Sequence, residues 1–265
     1  MILKVLASAS CGNMTLIKLN NKKIIAIDAG VSTKKIKLET NMADFGGLEQ
    51  IDYLFISHGH NDHILGLESI LSNYKVNSLY ITQPTFRNVS PIIHNYQVNL
   101  EIIQANKEYN FPEFTLYTLD LNHDFPETLG FLIKTFDSKS ILRSLVYITD
   151  TGFLDFDTIE LIKDADIIML EANYDQTIIS TSPIDISIKR RIISPTGHLS
   201  NHSFCDILSK IIVRPCIVIA MHISSDRNNY LMINELFKKE IQTKYVATLL
   251  FSTKKKYSSL EAINL

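Results

Sequence analysis

The chain has 265 residues, of which 46% are hydrophobic and 20% are charged, which is ordinary for a globular protein. No apolar run approaches the roughly 18 residues of a membrane span, and the apolar part of the N-terminus is too short for a secretory signal. The net charge of −2 excludes a strong overall attraction to nucleic acid.

Short strand-like runs rich in Ile, Val, Tyr and Phe recur along the chain. They are Leu3–Leu6, Thr15–Leu19, Lys23–Ile27, Leu54–Ile56, Ser78–Ile81, Leu100–Ile103, Phe114–Leu119, Gly130–Thr135, Ser144–Ile148, Asp166–Leu170, Cys216–Ala220 and Ala247–Phe251. Helical spacing of apolar residues predicts helices at Ile64–Asn73, Phe156–Lys163, Ser203–Lys210 and Tyr230–Thr243. Helices spread among many strands predict one α/β domain, residues 1–265, in which mixed sheets pack face to face and helices lie outside.

The cysteines bear on the cellular compartment. Cys11, Cys205 and Cys216 are an odd number without CxxC spacing, so they indicate neither a disulfide framework nor a zinc finger. We therefore expect a cytoplasmic protein that does not contact a membrane. No obligate protein partner is evident, and the oligomeric state stays open.

The segment Ser57–Gly66, which reads SHGHNDHILG, offers four candidate metal ligands within six positions: His58, His60, Asp62 and His63. The segment follows a β-prone run and precedes apolar residues at helical spacing, so we expect a strand-to-helix turn. Imidazole and carboxylate groups suit zinc, manganese or iron. Because so many titratable groups together cost folding free energy unless a cation compensates them, we interpret the cluster as a metal site.

Further polar residues stand directly after other apolar runs, where a sheet edge presents side chains to a shared cleft. They are Asp28 after KKIIAI, His123 and Asp124 after FTLYTLDLN, Asp150 after SLVYIT and His222 after CIVIAM. Each alone is more typical of a turn, but together with the histidine cluster they indicate a site. The candidate ligands then number seven, which suffices for two metals if one carboxylate bridges: His58, His60, Asp62, His63, His123, Asp150 and His222.

The order of these motifs, HxHxDH after a strand and then His, Asp and His at strand ends, resembles the metallo-β-lactamase superfamily. The strings SASCGNMTLI, IDAG, SHGHNDHILG, NHDFPETLGFLI, YITDTG, LEANYD, GHLSN and MHISSDRNN are similar to its YycJ/WalJ branch, from residue 8 to about residue 229. The resemblance implies an αββα four-layer sandwich of two mixed sheets with a dinuclear metal site along one edge. It also implies a DNA-processing hydrolase akin to exonucleases.

The resemblance assigns the ligands to two divalent cations. One ion would be held by His58, His60 and His123, and the other by Asp62, His63 and His222. Asp150 would bridge the two ions, and Asp28 would hold a ligand histidine or the loop in place. Zinc is the expected metal, with manganese or iron as alternatives.

The resemblance also predicts the reaction. His198 in GHLSN matches a histidine near the scissile phosphate of related phosphodiesterases, and we take Asp62 and His198 as catalytic residues. Attack by a metal-bound hydroxide would need no serine or cysteine nucleophile. We therefore predict a hydrolase of phosphodiester bonds that acts on DNA as a 5′-to-3′ exonuclease.

Two alternatives stay open. The slightly acidic net charge allows a hydrolase of a small phosphodiester, a cyclic nucleotide or an ester. A metal-stabilised binding module without activity is disfavoured, because all seven candidate ligands are present.

Other features bear on substrate recognition. The run Lys189-Arg190-Arg191 is more typical of a solvated face, but it would contact phosphate if the GHLSN loop borders the cleft. Tyr174 stands where the branch often has histidine, which puts a third metal or a substrate contact there in doubt. His94 and His202 are expected at the surface or in packing, and the run Lys254–Lys256 on a solvated face.

Overall fold

The computed structural model describes residues 1–41, 45–137, 139–252 and 263–264, which form two seven-stranded sheets. The run Lys254–Lys256 lies outside the described residues. The first sheet contains β1 Ile2–Ala9, β2 Gly12–Lys18, β3 Ile24–Ile27, β4 Gln50–Phe55, β5 Lys75–Ile81, β6 Asn99–Ile102 and β14 Ile263–Asn264, in the order β14-β1-β2-β3-β4-β5-β6. The second contains β7 Glu108–Asn110, β8 Phe114–Leu121, β9 Thr128–Phe136, β10 Leu142–Ile148, β11 Ile167–Glu171, β12 Cys216–Met221 and β13 Ala247–Phe251, in the order β13-β12-β11-β10-β9-β8-β7.

Helices connect and cover the sheets. They are α1 Thr33–Thr40, α2 Asn61–Ile64, α3 Leu67–Asn73, α4 Gln83–Ile93, α5 Phe156–Ile162, α6 Gln176–Thr181, α7 Ile186–Ile193, α8 Asn201–Ile211 and α9 Tyr230–Phe237, which continues as a π-helical turn over Lys238–Gln242. Side chains that accept backbone N–H groups begin several of them, for example Asp155 at α5 and Ser200 at α8. Within the described ranges no helix combines the length and the apolar composition that crossing a bilayer requires.

The two sheets pack face to face, and their buried apolar residues interlock. Phe55 of the first sheet meets Phe131 of the second with ring centroids 5.8 Å apart, and both side chains are fully buried. Ile70 of α3 belongs to the core on the outer face of the first sheet, and Phe204 of α8 to the core on the outer face of the second. The predicted αββα arrangement of two mixed sheets between helical layers is therefore confirmed.

Strand direction explains where the polar strand-end residues meet. Strands β3, β4 and β5 are parallel neighbours in the first sheet, and β10, β11 and β12 are parallel neighbours in the second. Strand β8 runs the same way as β10, because both are antiparallel to β9. The carboxyl ends of parallel strands lie at one edge of a sheet, so the residues that follow them are close in space.

The helices differ more from the sequence-based expectation than the strands do. The single helix predicted over Ile64–Asn73 is two helices separated at Gly66, whose N–H bonds to Ala29 O at 2.7 Å. Helices α1, α4, α6 and α7 are not predicted. In α4 Pro84 lies in the first turn, where its missing N–H costs nothing, and Pro91 lies inside the helix.

Candidate metal centre

Three histidines, which we name the imidazole trio, converge at the sheet edge: His58, His60 and His123. His58 Nε2 lies 3.0 Å from His60 Nδ1, and His123 Nε2 lies 3.3 Å from the same atom. His58 and His60 lie in the turn between β4 and α2, whereas His123 follows β8 of the other sheet. The three ring nitrogens lie close enough together to bind one cation.

A second group, which we name the carboxylate-backed trio, lies beside the first: Asp62, His63 and His222. Asp62 Oδ2 is 3.4 Å from His63 Nε2 and 3.6 Å from His222 Nε2. Asp62 and His63 belong to α2, and His222 follows β12 of the second sheet. This trio also brings three ligand atoms within reach of one cation.

Asp150 lies between the two trios. Its Oδ2 is 3.2 Å from His63 Nε2, and its Oδ1 is 3.9 Å from His123 Nε2. Asp150 Oδ2 and His222 Nε2 are buried and have no hydrogen-bond partner. A buried polar atom left unsatisfied costs about 1–3 kcal/mol, which a bound cation offsets. The residues present therefore fit divalent metal binding.

Asp28 fixes the ring of His63 from behind. Its Oδ2 is 2.8 Å from His63 Nδ1 and accepts a 2.9 Å bond from the Tyr147 hydroxyl. Its Oδ1 accepts bonds from the backbone N–H and the hydroxyl of Ser57, both at 2.8 Å. Because the Nδ1 atom is held in this way, the Nε2 atom of His63 is left for a metal. Ser57 positions this carboxylate, which is a structural role.

Glu171 has the corresponding position behind His222, and it is absent from the candidate set derived from the sequence. Its Oε1 lies 2.7 Å from His222 Nδ1 and 2.8 Å from His198 Nδ1. Its Oε2 accepts backbone N–H bonds from Thr151 and Leu199. The sequence does contain a signal for this residue, because Glu171 is the last residue of β11 and thus another carboxylate at a strand end.

Asn13 is a second contributor that sequence reasoning missed. Its Nδ2 donates to Asp62 Oδ2 at 3.1 Å and lies 3.0 Å from His63 Nε2. The residue belongs to β2, next to the turn that joins β1 to β2. Its side chain therefore orients the Asp62 carboxylate toward the two histidines of the same trio.

His198 lines the same cleft without belonging to either trio. Its ring centroid lies 5.4 Å from that of His123 and 5.3 Å from that of His222. Asp150, Glu171, His198 and His222 form a further close group of potential ligands. In that group Glu171 already binds both imidazole Nδ1 atoms, so we interpret it as a hydrogen-bonded network rather than a third ion site.

The two trios differ in the direction in which the pKa values of their histidines are shifted. Burial lowers the pKa of His58 well below its usual value, and burial also lowers the pKa of His60. Burial also lowers the pKa values of His63 and His222, but nearby carboxylates raise them by more. Asp28 and Asp150 hold the pKa of His63 well above its usual value, and Asp150, Asp62 and Glu171 do the same for the pKa of His222.

Backbone strain concentrates at these strand ends. Asp28, Asp150 and His222 have φ angles of 63°, 61° and 49°, in the left-handed region that residues other than glycine rarely adopt. Each such conformation costs on the order of 1–3 kcal/mol and persists where surrounding contacts enforce it, commonly at functional sites. All three strained residues therefore belong to the candidate site, Asp150 and His222 as ligands and Asp28 as the partner of His63.

The trios open into a cleft of about 380 Å³. Arg191 and Arg227 line it, as do His198 and Asp62. Arg191 Nε donates to Asp124 Oδ2 at 2.5 Å, and the buried Nε of Arg227 has no hydrogen-bond partner. The cleft therefore holds two guanidinium groups beside the candidate ligands, together with the carboxylates of Asp62, Asp124 and Asp150.

The three basic residues of α7 have different surroundings. Arg191 reaches the cleft, whereas Lys189 Nζ donates to Ser180 O at 2.9 Å and Arg190 is exposed. Tyr174 packs with Ile179 and Ile192 beneath this helix.

The other histidines lie apart from the cluster. His94 is exposed and stacks on Phe86 at the end of α4. His202 is exposed on α8. Both positions agree with surface or packing roles.

A family model described as a beta-lactamase superfamily domain matches residues 24–223, most of the chain. The chain belongs to this superfamily. Together with the His/Asp cluster, this membership makes it a metal-dependent hydrolase.

Two relatives align with this chain over most of the length of both proteins. The chain is 28% identical over 226 residues to the exodeoxyribonuclease YycJ of Bacillus anthracis, covering 84% of this chain and 83% of that one. It is 26% identical over 249 residues to the exodeoxyribonuclease WalJ of Streptococcus pneumoniae serotype 2, covering 89% and 88%. These matches confirm the resemblance to the YycJ/WalJ branch. The crystal structure of Zn²⁺-bound PqqB from Methylobacterium extorquens shares the fold, with a TM-score of 0.71 at 16% identity over 100% of both chains.

Proposed function

We propose that this protein is a dinuclear metal-dependent phosphodiesterase that degrades DNA as a 5′-to-3′ exonuclease. The observation that carries the proposal is the meeting of two ligand trios at Asp150, with two buried ligand atoms left unsatisfied there. The names of the similar YycJ and WalJ proteins, both exodeoxyribonucleases, support DNA as the substrate.

The ligand sets follow from the two trios. His58, His60 and His123 would hold one cation. Asp62, His63 and His222 would hold the other, and the Asp150 carboxylate would serve as a ligand to either. An imidazole-only set favours zinc, whereas the set that includes a carboxylate also accepts manganese or iron. When bound, two such cations would lower the pKa of a water and offset the charge that develops on the phosphate.

The remaining groups of the cleft handle protons and position the substrate. Asp62 has a side chain that is 21% exposed and faces the cleft, so its carboxylate can accept a proton from the attacking water. Glu171 holds His198 by its Nδ1 atom, which leaves the other ring nitrogen to protonate the leaving oxygen. Arg191 and Arg227 line the path of the phosphate backbone.

We also propose a reducing, cytoplasmic location for this single-domain enzyme. The unpaired thiols of Cys11, Cys205 and Cys216 support it.

The proposal is tested with purified protein, added Zn²⁺ or Mn²⁺, and duplex DNA labelled at either end with a 5′-phosphate or a 5′-hydroxyl. We expect metal-dependent release of nucleotides from the 5′ end, reduced at least about a hundredfold in Asp150→Ala. Asp206→Ala removes an exposed carboxylate on α8 and is the matched control. Hydrolysis of bis-p-nitrophenyl phosphate or a cyclic nucleotide without any cleavage of DNA would instead identify a small-substrate hydrolase.

A further inference from the structure

A second cavity adjoins the metal cleft. It has a volume of about 470 Å³, and Ser10 lines both it and the cleft. One wall is the turn between β1 and β2, another is the start of α1, and the third is the segment from Ile223 to Tyr230. This cavity has no part in the ligand sets described above.

The cavity wall is in direct contact with the carboxylate-backed trio. A Cβ atom on Gly30 would lie 1.7 Å from the backbone oxygen of Asp62, and one on Gly12 would lie 2.4 Å from the oxygen of Gly30. Only glycine permits such close backbone approach at both positions. Asn13, which follows Gly12, donates to the Asp62 carboxylate. A group in the cavity is therefore adjacent to the metal centre.

The lining combines apolar surfaces with a few polar groups. Val31, Leu65 and Ile223 supply apolar surface, and Tyr230 supplies an aromatic ring that meets Phe251 edge-on at 5.2 Å. Ser10, Ser32 and Ser225 add hydroxyl groups, Lys35 adds a positive charge and Asp226 adds a negative charge. A flat ring with hydrogen-bonding edges, joined to a phosphate, matches this combination.

We propose that this cavity binds the nucleobase of a nucleotide next to the scissile phosphate. The proposal rests on the proposed function, because it is the cleft that places the phosphate beside Ser10. A base in the cavity has left the double-helical stack, so the substrate end is unpaired when it is cut. Stacking on an aromatic side chain tolerates any of the four bases, as degradation of DNA requires.

Cys11 provides a direct measurement of occupancy. It is exposed and lines the cavity, whereas Cys205 and Cys216 are buried. Burial raises the pKa of the Cys205 thiol to about 12 and that of the Cys216 thiol to about 11. Iodoacetamide therefore alkylates Cys11 first in the folded protein, and the rate is followed by mass spectrometry.

The test compares dAMP with deoxyribose 5-phosphate, which has the same sugar and phosphate but no base. We expect dAMP to slow the alkylation of Cys11 in a saturable manner, and deoxyribose 5-phosphate to have little effect. Tyr230→Ala should raise the dAMP concentration for half-protection about tenfold, and Tyr230→Phe, which keeps the ring, should restore it. Equal protection by both compounds, or protection by neither, would overturn the proposal.

A separate assay distinguishes failure of this proposal from failure of the proposed function. Wild-type hydrolysis of bis-p-nitrophenyl phosphate tests the metal centre without a nucleobase. Hydrolysis without base-selective protection of Cys11 overturns the nucleobase cavity and leaves the metal centre intact. Base-selective protection without hydrolysis of any phosphodiester supports the cavity and overturns the proposed function.

Discussion

The two ligand trios lie side by side, but the protein surrounds them differently. In the imidazole trio His60 has a side chain that is 31% exposed, and its outer neighbour is Asp124 at 3.6 Å, itself 28% exposed. In the carboxylate-backed trio His63 and His222 are at most 2% exposed, and buried carboxylates hold both rings within 2.8 Å. The imidazole trio therefore reaches the surface of the cleft through His60, although the side chains of His58 and His123 are buried, whereas both histidines of the carboxylate-backed trio are built into the core.

The difference shows what each trio requires of a cation. The lowered pKa values of His58 and His60 keep these imidazoles neutral, which is the form that binds a metal. The carboxylate-backed trio gathers several buried carboxylates, and their negative charge needs positive charge from protons on histidine or from a metal. We expect the second trio to contribute to folding stability and the first to contribute mainly to metal binding.

The largest expected contrast compares His222→Ala with His60→Ala. Each should reduce phosphodiester hydrolysis more than about a hundredfold, since loss of even an outer partner of a metal ligand costs 10- to 100-fold. In metal-free protein, His222→Ala should also lower the free energy of unfolding by about 2–4 kcal/mol, because the buried carboxylates of Glu171 and Asp150 each lose one imidazole that offsets their charge. His60→Ala should change it by less than about 1 kcal/mol. Urea denaturation after chelation measures both values, and equal losses would contradict the comparison.

A smaller contrast concerns the carboxylates behind the rings. Asp28→Asn should weaken zinc binding by about 10- to 100-fold, because an amide oxygen no longer supplies the charge that orients His63. Asp124→Asn is the matched change beside the imidazole trio, where solvent screens the carboxylate, and only a few-fold loss is expected. Competition with a chromophoric chelator measures the affinities. A larger loss in Asp124→Asn would reverse the proposed ranking.

The smallest expected effect is at the rim beside the imidazole trio. Arg191 lines the cleft and Arg190 is its exposed neighbour on α7, so the two give a matched pair. Arg191→Ala should weaken DNA binding and reduce the slope of log affinity against log salt by about one, the value for one phosphate contact. Arg190→Ala should leave the slope nearly unchanged. An unaltered slope in Arg191→Ala would show that Arg191 on α7 does not contact the DNA phosphates.

Much of the site was predictable because polar residues that directly follow apolar runs stand at strand ends. Asp150 and His222 follow strands β10 and β12, which run parallel on either side of β11, and Asp28 follows the strand beside the one that precedes His58. A polar residue after an apolar run therefore marked a shared edge. The motif order then indicated the fold, because it matched a known superfamily.

The rest depends on contacts that no local pattern encodes. Glu171 meets the same strand-end rule, but its partners His198 and His222 lie 27 and 51 positions away in the sequence. Asn13 and Asp62 are 49 positions apart in the sequence. Close backbone approach at Gly12 and Gly30 brings their two loops together. Helix α7 is short and polar on much of its surface, so its placement by packing with Tyr174 was not evident from periodicity.

The measurement that tests the account most directly is the location of metal ions by anomalous scattering from crystals grown with Zn²⁺. We predict two peaks, one among His58, His60 and His123 and one among Asp62, His63 and His222, with the Asp150 carboxylate between them. A single peak at Glu171 and His198, or no bound zinc in either trio, would contradict it.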